Sequence, residues 1–439
     1  MVWFLLACSR SADQWLNPDQ ASLTSAELLE GSPVDRVVYA ALMFLGLIVL
    51  VRRGAKVLGI LRQSWPILFF FAFCLVSLVW SDYPLVALKR WNKAIGDLVM
   101  VLIVWTDPQP VNALKRLFAR TTYILIPMSV LLIKYYPALG RTYGRYLGEV
   151  HYTGVTTNKN SLGAICLLFG LASVWRLLSL LRDDPKSRQR TRQIAAQAVI
   201  LGTIGWLFSI VDSMTSLSCL LLALCLLLAT CFRAFTRSRW MVHGLIAIIV
   251  LIPALVLFVG MNQNVLEDLG RDSTLTDRTR MWSMVIDLTH NRWLGTGYES
   301  FWLGPRLDAM TSAFKWVPNE AHNGYIEIYA NLGWVGLAFL TVVLVHGYQR
   351  VTRGWSRNLP TSSLMMAYFV VGVIYNFTEA GYFRMMAPVW MFFLLAVTAV
   401  RQVASVVTDV SPEESIDFNE ADGPCPELVG ASEESFETV

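Results

Sequence analysis

Apolar residues fall into eleven long runs along the chain, separated by polar and often basic segments. The runs cover roughly 34–51, 65–80, 94–105, 119–136, 160–180, 194–211, 214–231, 240–260, 324–346, 362–378 and 385–402. Runs of about 17–25 apolar residues are long enough to cross a bilayer as helices. The run 94–105 is short, so its helix must extend or tilt. The pattern predicts an all-α polytopic membrane protein with about 11–12 transmembrane helices and one large, partly helical loop.

Basic residues cluster in each connection from an odd-numbered run to the next even-numbered run. They are Arg52, Arg53, Lys56 and Arg62; Lys115 and Arg116; Arg182, Lys186, Arg188, Arg190 and Arg192; Arg233, Arg237 and Arg239; and Arg350, Arg353 and Arg357. Because positive loops stay on the cytoplasmic side of a membrane, these connections are predicted to lie inside. The long loop between the eighth and ninth runs is then predicted to lie outside.

The same pattern divides the chain into five segments. Residues 1–33 are expected to be an outer or interfacial segment, and 34–260 to hold transmembrane helices one to eight. Residues 261–322 are expected to form the large outer loop, followed by three more helices in 323–402. The polar, acidic residues 403–439 are expected to be a disordered cytoplasmic tail. A twelfth span near the N-terminus would move the N-terminus inside and leave the rest unchanged.

The composition agrees with a membrane protein, because 55% of the 439 residues are hydrophobic and only 15% are charged. The net charge of +4 is small, and no nucleic-acid partner is expected. The seven cysteines show no paired spacing and are expected to act mostly as small apolar residues. The sequence carries no zinc or haem motif, so neither a metal nor a cofactor is expected.

A further set of basic residues lies in the outer loops, against the topology signal. It comprises Lys89, Arg90, Lys93, Arg141, Arg145, Lys159, Arg278, Arg280, Arg292 and Arg306. Each one alone is explained by a long side chain that reaches the lipid headgroups. Together they indicate a site that holds an anion at the outer face, since arginine binds phosphate oxygens through a bidentate fork.

The outer loop contains a predicted helix that starts near Thr276 and runs to about His290. At helical spacing, one face is expected to lie against the membrane helices. That face carries Arg278, Trp282, Val285 and Thr289. The opposite face carries Arg280, Ser283 and Asp287. Arg278 is therefore expected to need a partner, either a bound anion or a buried acid, whereas Arg280 is expected to be solvated.

His322 lies where the outer loop meets the ninth apolar run. Histidine is the side chain best suited to accept a proton near neutral pH. With Asn319 as the expected helix cap, His322 falls in the first helical turn, where the helix dipole is expected to lower its pKa. The alternative is a capping or interfacial histidine without chemistry. Glu327 and Glu379, near the outer ends of spans, are expected to pair with outer arginines.

The residues around His322 resemble the signature of the bacterial O-antigen ligase and polysaccharide polymerase family. The signature is His322-Asn323, nine residues and then Gly333. Arg278-Thr279-Arg280-Met281-Trp282 resembles the Arg-x-x-x-Trp motif of the same outer loop, and Leu294-Gly295-Thr296-Gly297 resembles its Leu-Gly-x-Gly turn. Two further segments resemble the exopolysaccharide polymerase branch: Trp80-Ser81-Asp82-Tyr83-Pro84 with Lys89-Arg90, and Thr157-Asn158-Lys159-Asn160-Ser161-Leu162-Gly163. The resemblance runs from about 75 to 345.

This resemblance implies a metal-independent, inverting glycosyltransferase of the bacterial inner membrane with a periplasmic active site. The implied donor is a glycan on undecaprenyl diphosphate, and the implied acceptor is a glycan or lipid A–core. In this scheme His322 removes the acceptor proton, and Arg278 stabilises the leaving diphosphate. Arg280 and Asn323, beside them in the motifs, are expected to bind diphosphate or glycan. Membrane lipid and polysaccharide assembly proteins are the implied partners.

One departure from the family pattern concerns a second contact to the diphosphate. Many members carry a Ser-Arg pair in a middle span, whereas the matching stretch here is Asp212-Ser213-Met214-Thr215-Ser216, without arginine. Arg90, Arg145 or Lys159 would have to supply that contact.

Four functions remain open at this point. A polymerase that joins repeat units into exopolysaccharide or O-antigen is favoured by the branch motifs. A ligase that moves O-antigen onto lipid A–core differs only in its acceptor, and protein O-glycosylation is a third enzymatic option. A transporter or flippase is the alternative of another class. The nearly apolar middles of spans five to eight disfavour it, because such proteins usually line a cavity with polar residues.

Overall fold

The computed structural model describes residues 1–18, 31–143, 148–182, 187–232, 235, 238–260, 274–314, 316–354 and 359–399. Within these ranges the chain is mostly helical. The helices are α1 (Val2–Ala7), α2 (Ala12–Leu16), α3 (Pro33–Val51), α4 (Gly54–Gln63), α5 (Trp65–Val76), α6 (Pro84–Trp105), α7 (Pro110–Tyr135), α8 (Pro137–Gly140), α9 (Lys159–Arg182), α10 (Arg188–Val211), α11 (Met214–Ala229), α12 (Arg239–Gly260), α13 (Thr274–Leu288), α14 (Gly304–Phe314), α15 (Gly324–Gly354), α16 (Leu359–Tyr375) and α17 (Pro388–Thr398), with a 3₁₀ turn at Ser77–Trp80. A small antiparallel hairpin, β1 (Arg141–Tyr143) and β2 (Val150–Tyr152), precedes α9 and pairs Thr142 with His151.

Proline and serine mark the starts of several helices. Proline is the first residue of α3, α6, α7 and α17, where its fixed φ suits the helix and its missing N–H costs no hydrogen bond. The Ser32 hydroxyl caps α3 by accepting the amide of Asp35, and Ser187 caps α10 through the amide of Arg190. Local sequence therefore fixes where these helices begin.

Each of the eleven predicted apolar runs coincides with a helix. The short run 94–105 is the second half of α6, which extends ten residues further towards the N-terminus, to Pro84. Five of the described helices are long and apolar enough to cross a membrane, or up to six if the pair α4 and 65–80, bent by 86°, is one span. Four shorter apolar helices accompany them. The prediction of an all-α polytopic membrane protein is confirmed, whereas the count of eleven or twelve spans stays a prediction.

Large apolar side chains cover the outside of the bundle, as lipid contact requires. Helices α3 and α12 face outward in this way. Their exposed residues are Val37, Phe44, Leu45, Ile248, Leu251, Ile252, Leu255 and Val256. A soluble protein rarely exposes so large an apolar surface to water. In a bilayer the same surface contacts lipid tails, which are also apolar.

The centre of the bundle is formed by α9 and α17. Every residue from Val389 to Thr398 is buried, and α9 is buried along most of its length. A helix that is apolar on all sides can occupy either a core or a lipid environment, and here α17 lies in the core. Its aromatic side chains stack with their neighbours, for example Phe392 on Phe118 and Phe393 on Phe369.

The described part of the N-terminal segment packs into the bundle. Trp3 is almost fully buried, and its indole donates to the carboxylate of Asp97 in α6 at 2.7 Å. Arg10 donates to the carbonyl groups of Leu139 and Thr156. These hydrogen bonds offset the cost of burying the polar groups of Trp3, Asp97 and Arg10.

The predicted acidic tail 403–439 and the first part of the outer loop, 261–273, lie outside the described residues.

Contacts at one end of the bundle join the basic connections that follow α3, α6 and α15. Arg53, between α3 and α4, donates to the carbonyl oxygen of Ile103 at 3.2 Å. Arg350, near the end of α15, donates to the carbonyl groups of Gln63 and Thr398. The segments that the charge pattern assigns to the inner side therefore meet, as their alternation along the chain predicts.

The described part of the outer loop is a small helical unit with its own apolar core. Helices α13 and α14 both contribute residues to this core, and α13 packs against α15. Its buried members are Met281, Val285, Phe301, Trp302, Met310, Ala321 and Ala330. The Trp80–Pro84 segment fastens the unit to the start of α6. Trp80 donates to the carbonyl of Leu294 at 3.1 Å, the Ser81 and Ser300 hydroxyls are hydrogen-bonded, and Arg306 pairs with Asp82 at 2.6 Å.

The motif glycine at 333 breaks α15 where the outer loop crosses it. Gly333 has φ +64° and ψ −162°, and a Cβ there would overlap the backbone of Trp293. The break frees the amides of Trp334 and Val335, which donate to the carbonyls of Arg292 and Trp293. This close approach explains why glycine is required at 333, after the nine residues that follow Asn323. It also fixes the outer loop against the helix that begins beside His322.

Candidate functional site

The α13 helix presents the predicted face to the membrane helices. Trp282, Val285 and Thr289 are buried and Arg278 is half-buried. The residues on the other face, Arg280, Ser283 and Asp287, are exposed. The prediction from helical spacing is therefore confirmed, and it gives the two motif arginines different environments.

Arg278 is held by the segment that follows α16. Its Nη1 donates to the carbonyl oxygen of Thr378 at 2.7 Å, and its Nη2 lies 3.4 Å from Oε1 of Glu379. The Glu379 side chain is only 6% exposed, whereas that of Arg278 is 28% exposed. The guanidinium group therefore neutralises a buried carboxylate and still reaches solvent. Of the two partners left open for Arg278, the structure shows the buried acid, and the arginine partner expected for Glu379 is confirmed.

His322 precedes α15 instead of lying in its first turn. The helix cap is Asn323, whose side-chain oxygen accepts the amides of Tyr325 and Ile326 at 3.0 and 3.1 Å. The expectation that Asn319 caps the helix is thus corrected. His322 itself has φ +48°, a left-handed conformation that is uncommon outside glycine and turns. Such a backbone persists only when the surrounding structure holds it.

Two carboxylates bracket one nitrogen of the imidazole. His322 Nδ1 lies 3.0 Å from Oε2 of Glu379 and 3.3 Å from Oε1 of Glu320. The other oxygen of Glu320 pairs with Arg384. Contact with two acceptors indicates that Nδ1 carries the proton. Within the part of the chain that the structure describes, no hydrogen-bond partner is found for Nε2.

These carboxylates reverse the predicted direction of the His322 pKa shift. Burial lowers the pKa of His322, as does the charge of Arg278. The hydrogen bond with Glu379 and the negative charges of Glu320 and Glu379 outweigh both, so the pKa is raised above its ordinary value. The sequence argument considered only the helix dipole. The carboxylates act more strongly because they directly contact the ring.

A third element also reaches Glu379. Asn160, in the first turn of α9, donates its side-chain amide to Oε1 of Glu379 at 2.9 Å. Asn158 caps the same helix by accepting the amide of Ser161 at 2.8 Å. The motif at 157–163 therefore both starts α9 and places one amide on the carboxylate that binds His322 and Arg278.

The other predicted binding residues occupy different positions. Arg90 donates to the backbone carbonyl of Glu299 and lies 3.6 Å from its carboxylate. Arg280 lies over the ring of Phe314, and Asn323 donates to the carbonyl of Phe377 besides capping α15. Lys159 pairs with Asp212 at 3.2 Å. Arg145 lies outside the described residues.

Of Arg90, Arg145 and Lys159, the three candidates for a second diphosphate contact, Lys159 is nearest to the cluster along the chain, because it is next to Asn160. Its partner Asp212 is 78% exposed, and exposed ion pairs are held weakly. Among the described residues, the Glu379 side chain contacts both His322 and Arg278, and the Glu320 side chain contacts His322. Asn160 reaches them only through Glu379. The sequence signal for Glu379 was its depth in an apolar segment. No comparable signal marked Glu320 or Arg384.

Within the described residues, Glu327 accepts hydrogen bonds from neutral groups instead of pairing with the arginine expected from the sequence. Its carboxylate accepts the Trp302 indole at 2.7 Å, the Ala321 amide at 2.9 Å and the Asn331 side-chain amide at 3.0 Å. These donors are neutral, whereas an arginine was predicted. Because Ala321 directly precedes His322, Glu327 fixes the outer loop and the backbone beside the imidazole together.

Glu320, His322 and Glu379 are also close enough together to be considered for a metal ion. Their candidate ligand atoms all lie within 4.8 Å of one another. Two guanidinium groups already neutralise this cluster, since Arg384 pairs with Glu320 and Arg278 with Glu379. A cation bound there would have to compete with these ion pairs. The expectation of no metal stays a prediction.

The fold and the site define a multi-pass helical membrane protein whose polar cluster joins an outer loop to the helix ends. Residues 197–341 match the family model described as O-antigen ligase. Over 308 residues the chain is 24% identical to the exopolysaccharide production protein ExoQ of Rhizobium meliloti strain 1021. That alignment covers 67% of this chain and 66% of the relative.

The chain is therefore related to the bacterial O-antigen ligase and polysaccharide polymerase family, and the resemblance predicted from its motifs is confirmed. The relationship supports glycan transfer of the ligase or polymerase type. The family match includes Arg278, His322 and Gly333 but ends before Glu379 and Arg384. The chain spans slightly less than two thirds of the length of its curated relative.

Proposed function

We propose that this protein transfers a glycan from undecaprenyl diphosphate to a sugar hydroxyl at the periplasmic face of the inner membrane, lengthening an exopolysaccharide or O-antigen chain. The observation that carries the proposal is that His322 and Arg278 contact the two oxygens of one buried carboxylate, Glu379. A proton acceptor and a phosphate-binding group are thereby held side by side.

His322 is the proposed base. Because Nδ1 donates to carboxylate, the lone pair of Nε2 is the one that accepts the proton of the acceptor hydroxyl. The hydroxyl oxygen attacks the anomeric carbon as the bond from that carbon to the diphosphate oxygen breaks, which inverts the anomeric centre. The proton ends on His322, and the electron pair leaves with the diphosphate.

Arg278 is the proposed stabiliser of the leaving group. A guanidinium group has five N–H donors, and the contacts to Thr378 and Glu379 engage its Nη1 and Nη2. Among the described residues no partner is found for its remaining donors, which can therefore bind phosphate oxygens, and this binding strengthens as negative charge develops in the transition state. Lys159 is the proposed second contact, since it is adjacent to Asn160 and only weakly held by Asp212.

The periplasmic position of the site is supported by the charge pattern. The cluster joins the start of α9, the end of α16 and the segment before α15, which are the ends opposite to the basic connections. By the positive-inside rule, these ends face outward. No metal ion takes part in the proposed step, because the two arginines and the imidazole supply the positive charge and the base.

Ligation of O-antigen to lipid A–core is the second candidate, and the description of the matching family model favours it. Purified protein should be incubated with a defined undecaprenyl-diphosphate oligosaccharide, with and without lipid A–core. We expect a ladder of longer glycans and release of undecaprenyl diphosphate in both reactions. Product only on the core would favour the ligase. Absence of diphosphate release would contradict both reactions and favour a flippase.

His322→Ala is the matched control for this assay. It is expected to abolish product while the amount of folded membrane protein stays normal. Full glycan yield from this variant would remove His322 as the base.

A further inference from the structure

We propose that Glu379 is a positioning residue that serves the base and the cation at once: one carboxylate oxygen orients His322, and the other holds Arg278. This inference rests on the proposed function and extends it to a residue outside the family match. It assigns Glu379 a role through two other side chains and no contact with substrate.

The contacts of Glu379 come from three separate parts of the fold. Oε2 lies 3.0 Å from His322 Nδ1, and Oε1 lies 3.4 Å from Arg278 Nη2 and 2.9 Å from Asn160 Nδ2. These partners precede α15, lie in α13 and begin α9, respectively. A buried carboxylate is costly unless such donors surround it. The geometry therefore makes Glu379 the common attachment point of the outer loop and two membrane helices.

The segment that carries Glu379 is itself held firmly. The Asn376 side-chain oxygen accepts the amides of Gly381 and Tyr382 at 2.7 and 3.0 Å. Tyr298 donates its hydroxyl to the carbonyl of Phe383 at 2.7 Å, and Asp97 accepts the amide of Met386. This support holds the backbone of Glu379 so that its two carboxylate oxygens stay in place beside His322 and Arg278.

Glu379 is better placed than Glu320 to orient the imidazole. Its distance to Nδ1 is 3.0 Å against 3.3 Å, and its side chain is 6% exposed against 19%. Glu320 is also engaged by Arg384. In the part of the chain that the structure describes, the charged groups that face His322 are Glu320 on its own loop, Glu379 after α16 and Arg278 on α13. Arg384 acts through Glu320, and Lys159 pairs with Asp212.

The pH dependence of the reaction separates positioning from a merely structural role. His322 acts as a base only when neutral, so the rate is expected to rise with pH through its pKa, which these carboxylates raise. Replacing Glu379 by glutamine removes one negative charge, so the rise should move to lower pH. The rate at the plateau should fall by about ten- to a hundredfold, because misplacing the base loses only part of the roughly 10²–10⁴-fold that base catalysis contributes.

The experiment compares pH–rate profiles of the full chain in detergent, with an undecaprenyl-diphosphate oligosaccharide as donor. The variants are Glu379→Gln, Glu379→Asp and Glu320→Gln. The control is Asp82→Asn, a carboxylate of the Trp80–Pro84 segment that pairs with Arg306 of the outer loop and does not contact His322. Glu320→Gln should shift the profile in the same direction but by less. Asp82→Asn should not shift it.

Glu379→Asp keeps the charge but is one methylene shorter and cannot reach both partners. It should retain the position of the pH rise and lose rate, and it decides the question if Glu379→Gln does not fold. An unchanged profile in both Glu379 variants would overturn the proposal. Activity in His322→Ala would instead remove the proposed base, whereas an inactive His322→Ala beside fully active Glu379 variants removes only the positioning role.

Discussion

Trp282 donates its indole N–H to the carbonyl oxygen of Ala321 at 2.7 Å, directly before His322. Trp282 belongs to the Arg-x-x-x-Trp segment on α13, and Ala321 begins the segment that ends the outer loop. The two motifs that are far apart in sequence thus meet through a single buried hydrogen bond. Arg278, one helical turn before Trp282, is brought to His322 by the same contact.

This relationship predicts the effect of Trp282→Phe. Phenylalanine keeps an apolar aromatic ring at this buried position but leaves the buried carbonyl of Ala321 without a donor. An unsatisfied buried group of this kind costs about 1–3 kcal/mol. We expect protein that still folds but transfers glycan more slowly, measured as product formed per folded molecule. Unchanged turnover would mean that the hydrogen bond does not position His322.

Glu327 provides a test of loop docking that is separate from catalysis. The side-chain oxygen of glutamine at 327 can still accept the hydrogen bond of Trp302. Its NH₂ group would then face the backbone N–H of Ala321, so two donors would oppose each other. We expect Glu327→Gln to lower the free energy of unfolding by about 1–3 kcal/mol, measured as a lower Tm in detergent. Asp287→Asn is the control, because Asp287 is exposed on the same loop. A Tm equal to that of the unmodified protein would show that the buried carboxylate is dispensable.

The helices and the loop face could be predicted because they depend on local pattern. Apolar runs gave the positions of the helices, and the 3.6-residue period separated Arg278 from Arg280. The same period required a partner for Arg278. The partner was also foreseeable in kind, because a carboxylate as deep as Glu379 needs a cation.

The environment of His322 could not be predicted in this way. Its strongest partner, Glu379, is 57 residues further along the chain, and Arg384 reaches Glu320 across 64 residues. Sequence spacing carries no information about such contacts. The burial of α17 was hidden for a different reason, since an apolar helix has the same pattern whether lipid or protein surrounds it.

Removal of divalent metal tests whether arginines, and not a metal ion, neutralise the cluster of Glu320, His322 and Glu379. If the arginines supply the positive charge, treatment with EDTA should leave the rate of glycan transfer unchanged. The measurement is product formation after chelation, followed by addition of Mg²⁺, Mn²⁺ or Zn²⁺. Loss of activity on chelation, with recovery on adding one of these ions, would identify a metal site. In that case the carboxylates would be ligands, and the base would have to be reassigned.

Arg278→Lys tests whether the charge alone is sufficient. Lysine keeps the positive charge, but it offers a single ammonium group that cannot contact Thr378, Glu379 and a phosphate in the fork geometry of arginine. We expect the rate to fall by at least about tenfold, with most of the loss in kcat, because the fork acts on charge that develops in the transition state. Arg292→Lys is the control, since Arg292 is an exposed arginine of the same loop. Full turnover in Arg278→Lys would mean that a point charge is sufficient and that the bidentate contact is not used.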